Sequence, residues 1–412
     1  MNLAKTHSTT ISNESISVKL KKFTTLAVCL SPILFIYRFL GYFMLGEIVL
    51  LALLLINLAF SSSTSRKISK KQIIIFLFAV AIYIISCFGY IINSLDVSVL
   101  PRLIRLIFCL FMVAVLGEYF FDYKSAKKYI LAIALIAATL IVFQKVYHEI
   151  TGDFIYFVFK KNIYSHVYNQ NYFLNVESLS VYRPMGIFLE PSHHCQYALF
   201  ALVIALSYDK LENGTFIAAL ISAGIVVSTS STGVILCILI WVIHFIALLQ
   251  RFIYNKSIDT KAIISICLIA VFAIVIMFIF GDQFVYSIER IYDVNESSPS
   301  AAWDGRLETY SVFAEYESLG EILFGRGYGM INEEEWYASI PYYYSGTGIL
   351  GLSVVIAFFA LLFVNSKSTQ KKIIGVFAFL CVTTEVLTNY WLIFILALVM
   401  TADEEIDNQL LV

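Results

Sequence analysis

Charge is scarce in this 412-residue chain: 14% of its residues are Asp, Glu, Lys or Arg, and the 28 basic and 29 acidic side chains nearly cancel. With no basic excess, no nucleic-acid partner is expected, and net charge says little about any other partner. The seven cysteines all lie in or beside apolar stretches, and none falls in the long polar stretch 282–343. Their spacing forms neither a disulfide framework nor a zinc-ligand pattern. No cofactor is expected. There is no internal repeat and no low-complexity tract. The polar N-terminus lacks a small-residue cleavage site and reads as a cytoplasmic tail rather than a signal peptide.

What is there is apolar sequence. Hydrophobic residues make up 60% of the chain, in recurrent runs close to the ~20 residues a helix needs to cross a bilayer. The chain therefore reads as an all-α polytopic integral membrane protein, a single membrane domain over 1–412. About twelve spans can be drawn: 23–40, 42–60, 72–93, 98–119, 128–147, 186–207, 214–230, 232–249, 262–281, 344–363, 373–387 and 389–401. The short loops SSSTSRKISKKQ, FDYKSAKK, QRFIYNKSIDTK and NSKSTQKK are all basic and fall on one side in that count. Basic loops face the cytoplasm, which puts both termini inside and two large loops, 148–185 and 282–343, on the outer face.

Sorting cations by side separates lysine from arginine. Of 19 lysines, three (Lys145, Lys160 and Lys161) fall outside. Of nine arginines, seven do: Arg38, Arg102, Arg105, Arg183, Arg290, Arg306 and Arg326. Lysine obeys the positive-inside rule and arginine breaks it, so the outer arginines need local reasons. The planar guanidinium suits bidentate binding of phosphate or carboxylate. Two other reasons compete with ligand binding. Stretch 282–343 holds twelve acids that could pair with its three arginines, and Arg102 and Arg105 in LPRLIRLIF could snorkel to the interface.

The stretch RPMGIFLEPSHHCQ concentrates ionisable groups at an expected membrane boundary. Pro184 and Gly186 mark a loop end, and Pro191 is expected to disturb the first turns of the span that follows. Glu190, His193 and His194 are spaced i, i+3 and i+4, which would gather them on one helix face. Ionisable groups at that depth are costly and point to function, with pairing of Glu190 to Arg183 or His194 as the structural alternative. Adjacent histidines point about 100° apart and suit a shared metal ion poorly.

In the second polar stretch, GRGYG lacks the strand-to-helix setting of a nucleotide-binding loop, leaving a turn that lets backbone approach a ligand beside Arg326. Tyr337, Tyr342, Tyr343 and Tyr344 read as an interfacial aromatic belt or a sugar platform. The hydroxyls of STSSTG at 228–233 could cap two helix ends or bind a polar substrate.

RPMGIFLEPS after a long outer loop, a serine-rich span junction, then GRLETY, LFGRGYGM and SGTGILGLSVV before a late span, resembles bacterial Wzy-type O-antigen polymerases and the related O-antigen ligases. The resemblance covers about residues 180–355. It implies a glycosyltransferase in the bacterial cytoplasmic (inner) membrane that polymerises undecaprenyl-diphosphate-linked oligosaccharide repeat units into O-antigen or capsular polysaccharide, without nucleotide sugar or metal. Its partners would be the lipid-linked glycan donor and acceptor, the bilayer and a chain-length regulator.

By the same resemblance, Arg183 of RPMG and Arg306 of GRLETY match arginines that bind the lipid diphosphate. Arg290 and Arg326, and then Arg102 and Arg105, join them as candidates from the charge sorting alone. For the base that takes the acceptor hydroxyl's proton, Glu190 comes first and His193 or His194 next. Ligases of this superfamily carry a functional histidine in the second large loop, whereas residues 282–343 contain none. This favours polymerase over ligase. Many relatives also have an arginine after the serines where this chain has SSTG. The competing functions are an O-antigen ligase transferring glycan to lipid A core, and a lipid-linked oligosaccharide flippase or transporter, for which the buried acids Glu47 and Glu385 would be the candidates.

Overall fold

A computed structural model describes residues 3–40, 43–60, 68–93, 99–159, 163, 182–207, 214–255, 278, 281–282, 284–286, 308–316, 318–330, 337–388 and 390–401. Among them the chain is overwhelmingly helical, as an all-α membrane protein requires. Five helices among the described residues are long and apolar enough to cross a bilayer: Lys70–Ile92, Leu100–Tyr119, Tyr123–Thr151, Ser231–Gln250 and Ser339–Val364. Leu45–Phe60, Gly214–Val227 and Trp391–Thr401 are apolar but shorter. The expected span 262–281 lies almost wholly outside the described residues. The expected span 23–40 ends early, since its helix stops at Leu34 and Arg38–Leu40 pairs with Phe43–Met44 in a two-stranded sheet.

The chain divides into two compact units, 1–35 with 39–126 and 306–412, and 36–38 with 127–305. The first contains α1 (Leu3–Leu34), α2 (Leu45–Phe60), α3 (Lys70–Ile92) and α4 (Leu100–Tyr119). The second receives most of α5 (Tyr123–Thr151), then α6 (Pro191–Ser207), α7 (Gly214–Val227) and α8 (Ser231–Asn255). The chain returns to the first unit with a 3-10 turn at Thr309–Ala314, followed by α9 (Leu319–Phe324), α10 (Ser339–Val364), α11 (Ser368–Thr383) and α12 (Trp391–Thr401). Local chemistry sets several starts. Ser69 and Gln72 form a reciprocal capping box at α3, and Pro101 occupies the first turn of α4.

Each unit is organised around one short helix that is buried nearly all round. In the first unit every residue of α12 is buried, and its 11 residues rise only about 16 Å, well short of a bilayer core. Gly117 of α4 lets it come close, because a Cβ there would lie 3.0 Å from the Met400 sulfur. In the second unit α6 is buried along almost its whole length. A Cβ at Gly233 would sit 2.6 Å from Cys195 Cβ, and one at Gly224 would sit 2.6 Å from Ala138 Cβ. Small residues at these crossings matter because helices inside a bilayer gain no water-exclusion energy from each other and associate by close packing.

Candidate functional site

The second unit brings together two motifs that lie far apart in sequence. The first is the turn ahead of α6. Gly186 takes the left-handed conformation (φ 63°), and the Phe188 N–H donates to the Met185 carbonyl at 3.1 Å. Pro191 does not disturb the helix that follows, contrary to expectation; it is the first residue of α6. At that position its missing N–H is no loss and its fixed φ already suits a helix. Glu190 therefore stands at the cap. Its carbonyl accepts from the His194 N–H at 3.2 Å, and its half-buried carboxylate accepts from the Ser192 hydroxyl at 2.7 Å. A carboxylate is electrostatically favoured at a helix N-terminus.

The two histidines are less accessible than Glu190. His193 is 7% exposed and lies close enough to the Glu190 carboxylate to interact with it electrostatically. His194 is wholly buried, with its ring 5.8 Å from that of Phe188 and its Nε2 close against Gly224. Among the described residues neither His194 ring nitrogen has a hydrogen-bond partner. Of these three side chains, Glu190 is the most exposed.

The second motif is the α7–α8 junction. Ser228 caps the end of α7, its hydroxyl donating to the Ile225 carbonyl at 2.8 Å and lying 3.0 Å from Cys195 Sγ. Thr229 has φ 56°, alone in this among the described non-glycine residues. For a β-branched side chain that conformation is strained. Its Oγ1 accepts a hydrogen bond from Arg183 Nε at 3.2 Å. Among the described residues Arg183 makes no ion pair. Its guanidinium thus sits beside the start of α8, with Glu190 seven residues along the same chain.

The arginines described in the first unit are occupied otherwise. Arg105 Nε pairs with Glu47 Oε1 at 2.6 Å, and the other Glu47 oxygen accepts from the Met44 N–H at 2.9 Å. Arg102 donates to the Gly329 carbonyl at 2.9 Å and also hydrogen-bonds Tyr342, so it is tied into the protein. Arg326 lies 3.7 Å from Glu321 and 4.7 Å from the centre of the Tyr316 ring. Arg290 and Arg306 lie outside the described residues.

GRGYG brings backbone close to other protein segments. Gly325, Gly327 and Gly329 all have positive φ. The N–H groups of Arg326 and Gly327 donate to the carbonyls of Ser345 and Gly346, just before α10 breaks at Gly348. Tyr343 and Tyr344 are buried, and Tyr344 stacks on Phe313 and Tyr316, so these two form core rather than an interfacial belt. Burial pushes the Tyr310 phenol up to about 12 and raises that of Tyr316. The two hydroxyls donate to the carbonyls of Val382 (2.7 Å) and Ser345 (2.9 Å).

No group of three His, Cys, Asp or Glu among the described residues is placed to hold a metal ion. No family model and no curated protein matches the sequence.

Proposed function

We propose that this chain is an integral-membrane glycosyltransferase that polymerises undecaprenyl-diphosphate-linked oligosaccharide repeat units on the outer face of the cytoplasmic membrane. The proposal includes about twelve spans, both termini in the cytoplasm and two large periplasmic loops. The observation that carries it is Arg183: a guanidinium with no ion pair among the described residues, held by a strained threonine in a chain otherwise poor in charge. Such a group matches a diphosphate, which accepts two parallel N–H bonds from an arginine fork.

An acceptor sugar hydroxyl attacks the anomeric carbon of the donor glycan. The new glycosidic C–O bond forms as the bond to the diphosphate oxygen breaks. Glu190 takes the hydroxyl proton, and undecaprenyl diphosphate leaves with the bonding electron pair. Negative charge grows on the leaving oxygen as that bond breaks, so a fixed cation aimed there favours the transition state over the ground state. By the resemblance alone, Arg306 is a further candidate diphosphate ligand.

The test is a gel of surface polysaccharide from the natural host lacking this chain, complemented with wild type or with Arg183→Ala. Loss of the ladder down to single repeats, restored by wild type alone, is the expected result. Long polymer held on the carrier lipid would identify a ligase instead. A normal ladder in the Arg183→Ala strain, with the variant present in the membrane, would sink the reading.

A further inference from the structure

Gln144 is a polar side chain inside an apolar helix, and it is wholly buried. Both ends of its amide are used. Oε1 accepts from the Gly186 N–H at 2.8 Å, and Nε2 donates to the Ile155 carbonyl at 2.8 Å. The two partners fix the amide's orientation, because an N–H needs an oxygen and a carbonyl needs an N–H; flipping it would break both bonds. Ile155 lies in the leading stem of the first large loop, just beyond α5, and Gly186 in the returning stem, just before α6. One side chain therefore joins both stems to the same helix. The Tyr182 hydroxyl reaches the same Ile155 carbonyl at 3.4 Å.

The fit at Gly186 is close. A Cβ there would lie 3.2 Å from both the Ala137 carbonyl oxygen and Ile141 Cγ1. Ala137, Ile141 and Gln144 are spaced i, i+4 and i+7, so they present one face of α5 to the turn. Arg183 is three residues upstream. Its guanidinium is held at one end by Thr229, and its backbone is anchored through Gly186 to Gln144.

We infer that Gln144 is a positioning residue for Arg183. It touches no substrate, and it fixes the height at which the returning stem presents the guanidinium. The functional half of the inference rests on Arg183 binding a diphosphate; the positional half does not. Hydrogen bonds sealed from water hold geometry well, and a displacement of about 1 Å can cost on the order of 100-fold in a reaction that depends on orientation.

The experiment uses the full chain in lipid nanodiscs, as wild type, Gln144→Met, Gln144→Glu, Arg183→Ala and the Gln144→Met/Arg183→Ala double variant. Methionine matches glutamine in length without either hydrogen bond, and glutamate, held neutral by burial, keeps an acceptor for Gly186 and offers a single O–H to Ile155 in place of the amide N–H. One readout is the rate of phenylglyoxal labelling at Arg183, mapped by mass spectrometry. The other is the preference for undecaprenyl diphosphate over undecaprenol, which carries no phosphate.

In Gln144→Met the labelling rate should change several-fold and the diphosphate preference should fall about tenfold, a loss smaller than a full 1 Å displacement would give. The double variant should bind no worse than Arg183→Ala alone. Gln144→Glu should fall between wild type and Gln144→Met, and it supplies the comparison if Gln144→Met does not fold. Unchanged labelling at Arg183 in a folded Gln144 variant overturns the inference, as does a binding loss that adds to that of Arg183→Ala. Changed labelling with undiminished diphosphate preference in Arg183→Ala would uphold the positioning role and reject the diphosphate reading.

Discussion

Arg183 and Thr229, 46 residues apart in sequence, meet through a 3.2 Å hydrogen bond from Nε to Oγ1, and the acceptor is in a left-handed conformation (φ 56°) that a threonine rarely takes. Holding it there costs roughly 1–3 kcal/mol, which the surrounding helix ends sustain. The hydroxyl, the branch and the strain can be separated by substitution. Thr229→Ser keeps the acceptor and should preserve polymer length. Thr229→Val keeps the shape, loses the acceptor and should shorten the ladder. Thr229→Gly should raise the thermal midpoint or leave it unchanged while also shortening the ladder. Wild-type polymer from Thr229→Val would show that the bond to Arg183 does not matter.

Glu190 should separate by role from its neighbour Ser192. Glu190→Gln keeps the size and the helix-capping backbone but cannot take a proton, so glycan transfer should fall by about 100-fold or more. Ser192→Ala removes only the hydroxyl that donates to the carboxylate and should cost far less. Initial rates on purified lipid-linked repeats compare the two. Equal losses would assign Glu190 a capping role alone.

The helices were legible in the sequence because apolar runs report directly on burial in lipid or protein. Ser339–Val364 covers the expected span 344–363, and Leu100–Tyr119 covers nearly all of 98–119. The ends were less legible. Pro191 reads as a disruption within a span drawn from 186, yet the helix begins at the proline itself. The site was legible as residue types and not as partners. Arg183 and the serine run each stand out alone, but their meeting depends on how α6 packs against the α7–α8 junction. Gln144 was visible only as one polar letter in an apolar run, and Glu47 and Arg105 gave no sign of pairing because hydropathy carries no information about register between helices.

That Glu47–Arg105 pair yields a prediction separating architecture from transport. Glu47 is nearly buried and Arg105 about a third exposed, so the pair is only partly shielded from solvent. Glu47→Ala removes the carboxylate from Arg105 and frees the Met44 N–H, and should lower stability by about 1–3 kcal/mol. Arg105→Met should cost less, because Glu47 keeps its backbone partner. Thermal unfolding in detergent measures both. Glu47→Gln should leave the polysaccharide ladder intact, whereas its disappearance from a stable variant would favour an ion-coupled transporter.

The three glycines of GRGYG should respond unequally to alanine, and the order tests whether this loop is a packing device. All three have positive φ, and Gly325 (φ 67°, ψ −168°) lies in a region open essentially to glycine alone, so each substitution carries backbone strain of roughly 1–3 kcal/mol. What differs is the obstacle. At Gly325 a Cβ would lie 2.4 Å from the Thr347 backbone nitrogen, which cannot move without disturbing α10 near its break. At Gly327 it would meet the Tyr90 ring at 2.2 Å, and Tyr90 is anchored by its own hydroxyl to the Tyr328 carbonyl at 2.5 Å. At Gly329 the nearest atoms belong to the flexible stem of the Arg102 side chain, at 3.1 Å, which needs to give way by only a few tenths of an ångström. Membrane yield and thermal midpoint should therefore fall most for Gly325→Ala, strongly for Gly327→Ala and least for Gly329→Ala. If the loop instead bound a ligand through its backbone, all three variants would fold and lose activity together.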